Sequence, residues 1–143
     1  MRNVRSGSHT KYDHKYHIVF CTKYRKKVLT GEIGLRTREI IRQICERFHV
    51  EILKGNIRPD HVHILVSIPP FVLESKFIQH IKGVSSRKLQ MEFRELRRQY
   101  WGRHFWAIGY FSATVGSVTD EVIRDYIENQ DDENEDDIFR VGY

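Results

Sequence analysis

The chain reads as an α+β protein of the ferredoxin-like type, a βαββαβ antiparallel sheet followed by one additional C-terminal helix. Three observations predict it. A strand-forming run at 16–22 precedes an amphipathic helical pattern at 32–48, which makes the first connection a helical crossover. Two further strand runs are separated only by Arg58-Pro59-Asp60, too short for a crossover and therefore a hairpin. A second helix, a fourth strand dense in aromatics and a last helix complete the order. No repeat or long linker divides the 143 residues, so 1–143 is one domain with an acidic tail at 131–143.

Tyr16-His17-Ile18-Val19-Phe20-Cys21-Thr22 consists largely of β-branched and aromatic residues, which suit a pleated, half-buried surface. Lys23-Tyr24-Arg25-Lys26-Lys27 leaves it as a basic loop. Leu35, Ile40, Ile41, Ile44, Cys45 and Phe48 then recur at three- and four-residue steps, the period of a helix with one buried face. His49 stands at its end as a cap. Residues 50–57 read as the second strand and 60–68 as the third, stopped by Pro69-Pro70. A second helix is predicted over 74–82 and weakened by Gly83. Polar and basic chain follows as far as Trp101-Gly102, and 105–115 reads as the fourth strand, ended by Gly116. Ser117-Val118-Thr119-Asp120 fits a capping box that opens the last helix, 119–130.

The net charge of +5 conceals an uneven distribution. Residues 131–143 carry a net of −5 and residues 1–130 a net of +10. So basic a body favours a polyanionic partner, nucleic acid first, because each neutralised phosphate releases counterions. Cys21 and Cys45 fall in different predicted elements without Cys-x-x-Cys spacing, which excludes a zinc ribbon and reads as reduced, buried thiols of a cytoplasmic protein. The basic start runs into polar 6–10, where a signal peptide needs an apolar stretch. The longest apolar run, 64–73, is too short for a bilayer and is broken by Ser67, Pro69 and Pro70, so no membrane association is expected.

His61 and His63 carry the chemistry. Two apart on a strand, they leave the same face about 6.6 Å from each other along the axis, a ready-made pair of metal ligands. Val62, Ile64, Val66 and Ile68 form an apolar row on the opposite face that would hold them rigid. His-x-His on a strand is nevertheless common by chance. In the last helix, Tyr126 and Gln130 fall within the apolar arc made by Val122, Ile123 and Ile127. A buried tyrosine is ordinary, but an inward glutamine amide must be hydrogen-bonded or ligate something.

Five blocks recur in a recognisable order and spacing. They are Tyr16-His17-Ile18-Val19-Phe20 with Thr22-Lys23-Tyr24-Arg25, Pro59-Asp60-His61-Val62-His63, Lys82-Gly83-Val84-Ser85-Ser86, Phe105-Trp106-Ala107 with Gly109-Tyr110, and Tyr126-Ile127-Glu128-Asn129-Gln130. On these the chain resembles the single-tyrosine HUH transposases of the IS-two-hundred-like insertion sequences, small DNA enzymes with a ferredoxin-like palm. The resemblance implies cleavage and rejoining of single-stranded DNA at element ends through a 5′-phosphotyrosine intermediate. It makes Tyr126 the nucleophile and His61 and His63 the ligands of a divalent metal, Mg²⁺ or Mn²⁺, with Gln130 as a third ligand one turn beyond Tyr126. It also implies a homodimer binding single-stranded DNA with hairpin ends. There the tyrosine helix of one subunit would complete the His-His site of the other, about a hinge at Gly116 and Ser117. The acidic tail is less usual for the family.

Asp60 is open to three roles: a fourth ligand, a group orienting an imidazole, or a turn residue after Pro59. His14 and His17 read as strand-surface residues. Lys23, Arg25, Lys26, Lys27, Arg87, Lys88, Arg94, Arg97 and Arg98 are the candidate DNA surface, interleaved with Tyr24, Phe93, Tyr100 and Trp101 as stacking platforms for unpaired bases. Two other readings stand beside the transposase. One is a domesticated relative that processes chromosomal repeat palindromes; the other is a non-catalytic nucleic-acid-binding module, which leaves the histidine pair, Tyr126 and Gln130 without a purpose.

Overall fold

The computed structural model describes residues 5–6, 11–100, 104–115 and 120–130, with backbone only at 5, 6, 11, 120 and 130. The described strands are β1 (Arg5–Ser6), β2 (Lys11–Tyr12), β3 (Lys15–Cys21), β4 (Glu51–Arg58), β5 (His61–Ser67) and β6 (Phe111–Thr114). The helices are α1 (Gly31–Arg47), α2 (Glu74–Glu92), α3 (Arg94–Gln99) and α4 (Asp120–Gln130). β1 and β2 form a small antiparallel ribbon, while the main sheet has the order β4-β5-β3-β6 with every neighbouring pair antiparallel. This is the ferredoxin-like arrangement expected from the order of elements.

The sheet separates two apolar clusters. Ile18 and Phe20 of β3 and Val62, Ile64 and Val66 of β5 pack against Ile40, Ile41 and Ile44 of α1 and Phe77, Ile78, Ile81 and Leu89 of α2. The alternating side chains Val19 and Cys21 face the other way, into a smaller cluster with Ala107, Phe111, Ile123 and Tyr126. α4 therefore covers part of the face opposite α1 and α2. The stripe predicted for α1 is narrower than expected, since Leu35 is exposed. His49 does close α1, through its backbone: at φ 59° its N–H reaches the Glu46 carbonyl.

Three elements differ from the sequence expectation. α2 does not weaken at Gly83 but continues to Glu92, because Phe77, Ile78, Ile81, Ser85 and Leu89 keep a buried row that outweighs one glycine. The polar run at 94–99 becomes a short helix, α3. The fourth strand is two patches rather than one. Phe105–Ala107 pairs with Cys21–Lys23 (Lys23 N–H to Phe105 O, 2.9 Å; Ala107 N–H to Cys21 O, 2.8 Å), and β6 pairs with Tyr16–Val19. Between them Gly109 takes φ 86°, a conformation hostile to a strand. Lys82 Nζ fills the break by donating to the carbonyls of Ala107 and Gly109 at 2.9 and 2.5 Å. The capping box lies largely outside the described residues.

Two glycines test this packing with opposite signs. A Cβ on Gly34 would stand 2.9 Å from the Leu29 carbonyl oxygen, whereas one on Gly83 meets nothing within 4 Å. Gly34→Ala is expected to lower stability by about 1–3 kcal/mol through overpacking. Gly83→Ala is expected to raise it by about 0.5–1 kcal/mol. Urea unfolding of both variants checks the pair; equal signs would overturn the packing account.

Candidate active site

β5 presents His61 and His63 on the face away from α1 and α2, as the alternation of half-buried and buried residues along the strand requires. Register places Cys21 opposite His61 and Val19 opposite His63. Because Cys21 and Val19 belong to the cluster that contains Tyr126, α4 lies on the histidine face. Tyr126 is 2 % exposed and packs its ring on Phe111, centroids 5.6 Å apart. The expected apolar arc of α4 is confirmed for Ile123, Tyr126 and Ile127, but Val122 points outward at 37 % exposure. The Gln130 side chain lies outside the described residues.

Asp60 sits at the tip of the β4–β5 hairpin and is 5 % exposed. Its Oδ1 lies 2.8 Å from His61 Nδ1, and its Oδ2 accepts from Arg25 Nε and Nη2 at 3.0 and 2.8 Å. Both oxygens are thus engaged, which favours the orienting role among the three open for Asp60. Arg25 Nη1 donates to the Ile127 carbonyl of α4 at 2.7 Å. At the other end of the pair, His17 Nδ1 is 3.1 Å from His63 Nε2. Among the described residues no three His, Cys, Asp or Glu side chains group as a metal cage.

A sequence model described as "Transposase IS200 like" matches residues 10–130 of this chain. The chain belongs to the IS200-like transposase family. It is 40 % identical over 134 residues to the transposase for insertion sequence element IS200 of Salmonella typhimurium, covering 94 % of this chain and 88 % of that protein. It is 33 % identical over 129 residues to the ISDra2 transposase TnpA of Deinococcus radiodurans, covering 90 % and 92 % of the two chains. A crystal structure from Deinococcus radiodurans R1 superposes with a TM-score of 0.81 at 32 % identity, covering 88 % of this chain and 97 % of that one. A REP-associated tyrosine transposase bound to a REP hairpin shares the fold, with a TM-score of 0.54 at 16 % identity over 86 % and 70 % of the chains.

In this transposase several basic side chains do internal work that no local sequence pattern foretells. Arg25 is spent on Asp60 and Ile127, and Lys26 donates to the Gln99 carbonyl and lies over the Tyr100 ring. Arg97 closes the end of α2 through the carbonyls of Gln90 and Met91 at 3.0 Å each. Lys27, Arg87, Arg94 and Arg98 are exposed, and Lys23 and Lys88 are half-buried. Of the stacking candidates, Tyr24 is 39 % exposed, Phe93 is half-buried and Tyr100 is core at 3 %; Trp101 lies outside the described residues. His17, read from sequence as strand surface, instead adjoins His63. Its signal is cross-strand: it shares the parity of Val19 and Cys21, which becomes meaningful only once β3 pairs with β5. A cleft of about 540 Å³ between α2 and 104–110 includes Lys82, Trp106 and Tyr110 in its lining but neither histidine of the pair, so volume does not mark the chemistry here. Among the described residues no helix is long and apolar enough to cross a membrane.

The electrostatics agree on one protonation state. Burial holds the His61 imidazole below its usual pKa, outweighing the upward pull of Asp60, and Arg25 and Arg58 act with burial. Burial would raise the Asp60 carboxyl, but His61 and Arg25 together outweigh it and keep it low. The native state therefore holds a neutral His61 beside an ionised Asp60. The proton sits on Nδ1, facing the carboxylate. Relative to the unfolded chain this state binds fewer protons in acid. His61's contribution to stability is complete above the unfolded value near 6.5 and declines as pH falls below it; that of Asp60 is lost as pH falls through its lowered native value. Urea midpoints measured across this range are expected to fall with acid. NMR titration is expected to find His61 below the ordinary value, and lower still in Asp60→Asn. An ordinary or raised value would refute the assignment.

Proposed function

We propose that this transposase cuts and rejoins single-stranded DNA with hairpin ends, using Tyr126 as nucleophile and His61 and His63 as ligands of a divalent metal ion, Mg²⁺ or Mn²⁺. The observation that carries the reading is the meeting of Tyr126, His61 and His63 on one sheet face, with Asp60 turning the second nitrogen of His61 away from itself. An imidazole fixed by a carboxylate at Nδ1 offers Nε2 as a ligand. His63 Nε2 is shared with His17, so ligation through it requires His17 to turn aside. Two imidazoles with Gln130 as a third donor leave positions open for phosphate and water, as a catalytic site requires.

The Tyr126 oxygen loses its proton to solvent and attacks the scissile phosphorus. The new P–O bond forms as the P–O3′ bond breaks, and the departing 3′ oxygen gains a proton. A 5′-phosphotyrosine and a free 3′-OH result, and the reverse steps reseal the strand. A bound metal supplies Lewis-acid polarisation of a non-bridging phosphate oxygen. Lys23, Lys27, Arg87, Lys88, Arg94 and Arg98 are assigned to the DNA surface, supported by the net +10 of residues 1–130. The resemblance further supports a homodimer. Reduced thiols suit the cytoplasm: Cys21 and Cys45 are unbridged and buried, and burial pushes the Cys45 thiol up to about 12.

Incubation with labelled single-stranded element ends tests the reading. Wild type is expected to form a covalent adduct that chelation of the metal abolishes. Tyr126→Phe is expected to form none while binding hairpins within about twofold of wild type, because only one oxygen is removed and phosphate contacts dominate affinity. His61→Ala and His63→Ala are each expected to lose cleavage and to weaken metal binding in calorimetry. An adduct persisting in Tyr126→Phe would move the nucleophile elsewhere.

A further inference from the structure

α4 is fastened by a side chain from outside the helix. Among the described residues its last turn contains no basic residue of its own. Ile127 O, in that turn, receives Arg25 Nη1 at 2.7 Å from the loop after β3. A guanidinium there makes a charge-assisted hydrogen bond to the backbone of the helix. The same side chain gives its other edge to Asp60 Oδ2, and Asp60 holds His61. The loop is bent for the purpose: Tyr24 and Arg25 have φ of 60° and 49°, left-handed values costly for residues with a Cβ. Thr22 N–H to Asp60 O at 3.0 Å and Leu29 N–H to Pro59 O at 2.9 Å tie both ends of the loop to the hairpin tip.

We infer that Arg25 is a positioning residue rather than a phosphate contact: one guanidinium fastens the Tyr126 helix to the turn that orients His61. Planar geometry makes this possible. Arginine presents donors on two edges in a fixed fork, and lysine has a single ammonium that cannot span both acceptors with that geometry. Removing either partner of the bridge therefore loosens α4, even Asp60, which among the described residues is linked to α4 by hydrogen bonds through Arg25. The significance for catalysis rests on Tyr126 and His61 having the roles proposed above; the attachment itself does not.

Hydrogen exchange of the backbone over 121–130 reads the attachment directly, without metal or DNA. In Arg25→Gln, exchange there is expected to rise about tenfold, the effect of losing one charge-assisted hydrogen bond, while β3 and β5 keep their protection. Arg25→Lys, which retains the charge beside Asp60, is expected to fold if Arg25→Gln does not, and to show the same rise. Asp60→Asn is expected to raise α4 exchange as well. Hairpin affinity in Arg25→Lys is expected to stay within about twofold of wild type at unchanged salt dependence. Unchanged α4 exchange in Arg25→Lys and Asp60→Asn would overturn the inference. So would an Arg25→Gln variant that keeps α4 protection but loses affinity with a salt slope reduced by about one, the mark of a phosphate contact. An adduct surviving in Tyr126→Phe would refute the proposed nucleophile and leave the exchange result standing.

Discussion

The buried carboxylate of Asp60 is the constraint around which the histidine end of the molecule is built. At 5 % exposure an ionised carboxylate needs compensation, since an unpaired buried charge costs several kcal/mol. Three N–H groups supply it: two from Arg25 and one from His61. To deliver Arg25, the loop after β3 accepts two left-handed residues and is stitched to the hairpin through Thr22 and Leu29. To receive His61, the strand must begin directly after the turn. The same negative charge therefore dictates a loop conformation, an imidazole tautomer and the contact that reaches α4.

The two faces of the sheet are held very differently. α1 and α2 close over one face with a large continuous core that includes Phe20, Phe77, Ile78, Ile81 and Leu89, all fully buried. Among the described residues α4 meets the other face through Ile123, Tyr126 and Ile127 and is held by the guanidinium of Arg25. The first face makes β5 stiff, which suits side chains whose spacing must be preserved. The second is the smaller attachment, so the helix that carries Tyr126 belongs to the more easily opened part of the molecule.

The strand and helix order was legible because each element follows a simple period: alternation at Val62, Ile64 and Val66, four-residue steps at Ile40 and Ile44. The His61 and His63 pairing was legible for the same reason. Long-range polar contacts were not. That Arg25 is an internal ligand rather than one of many surface cations depends on its loop meeting a hairpin tip and a helix that lie 35 and 102 positions away along the chain. Lys82 was read as part of a recurring block, yet its work on the Ala107 and Gly109 carbonyls emerges only when the fourth strand is seen to break. The persistence of α2 past Gly83 is the converse case. There, local propensity said stop and the buried row said continue, and burial prevailed.

The burial of Tyr126 beneath its own helix has a consequence for fidelity. The side chain proposed as nucleophile is withheld from solvent while α4 is docked, with only 2 % of the residue accessible. Any strand that is to meet it must first draw on a minor population in which the helix has shifted, and every 1.4 kcal/mol of docking energy makes that population about tenfold rarer. A passing single strand with few contacts leaves the balance where it stands. A ligand that binds the shifted form better tips it by its own differential affinity, so discrimination between right and wrong DNA can be exercised before the phosphorus is ever approached.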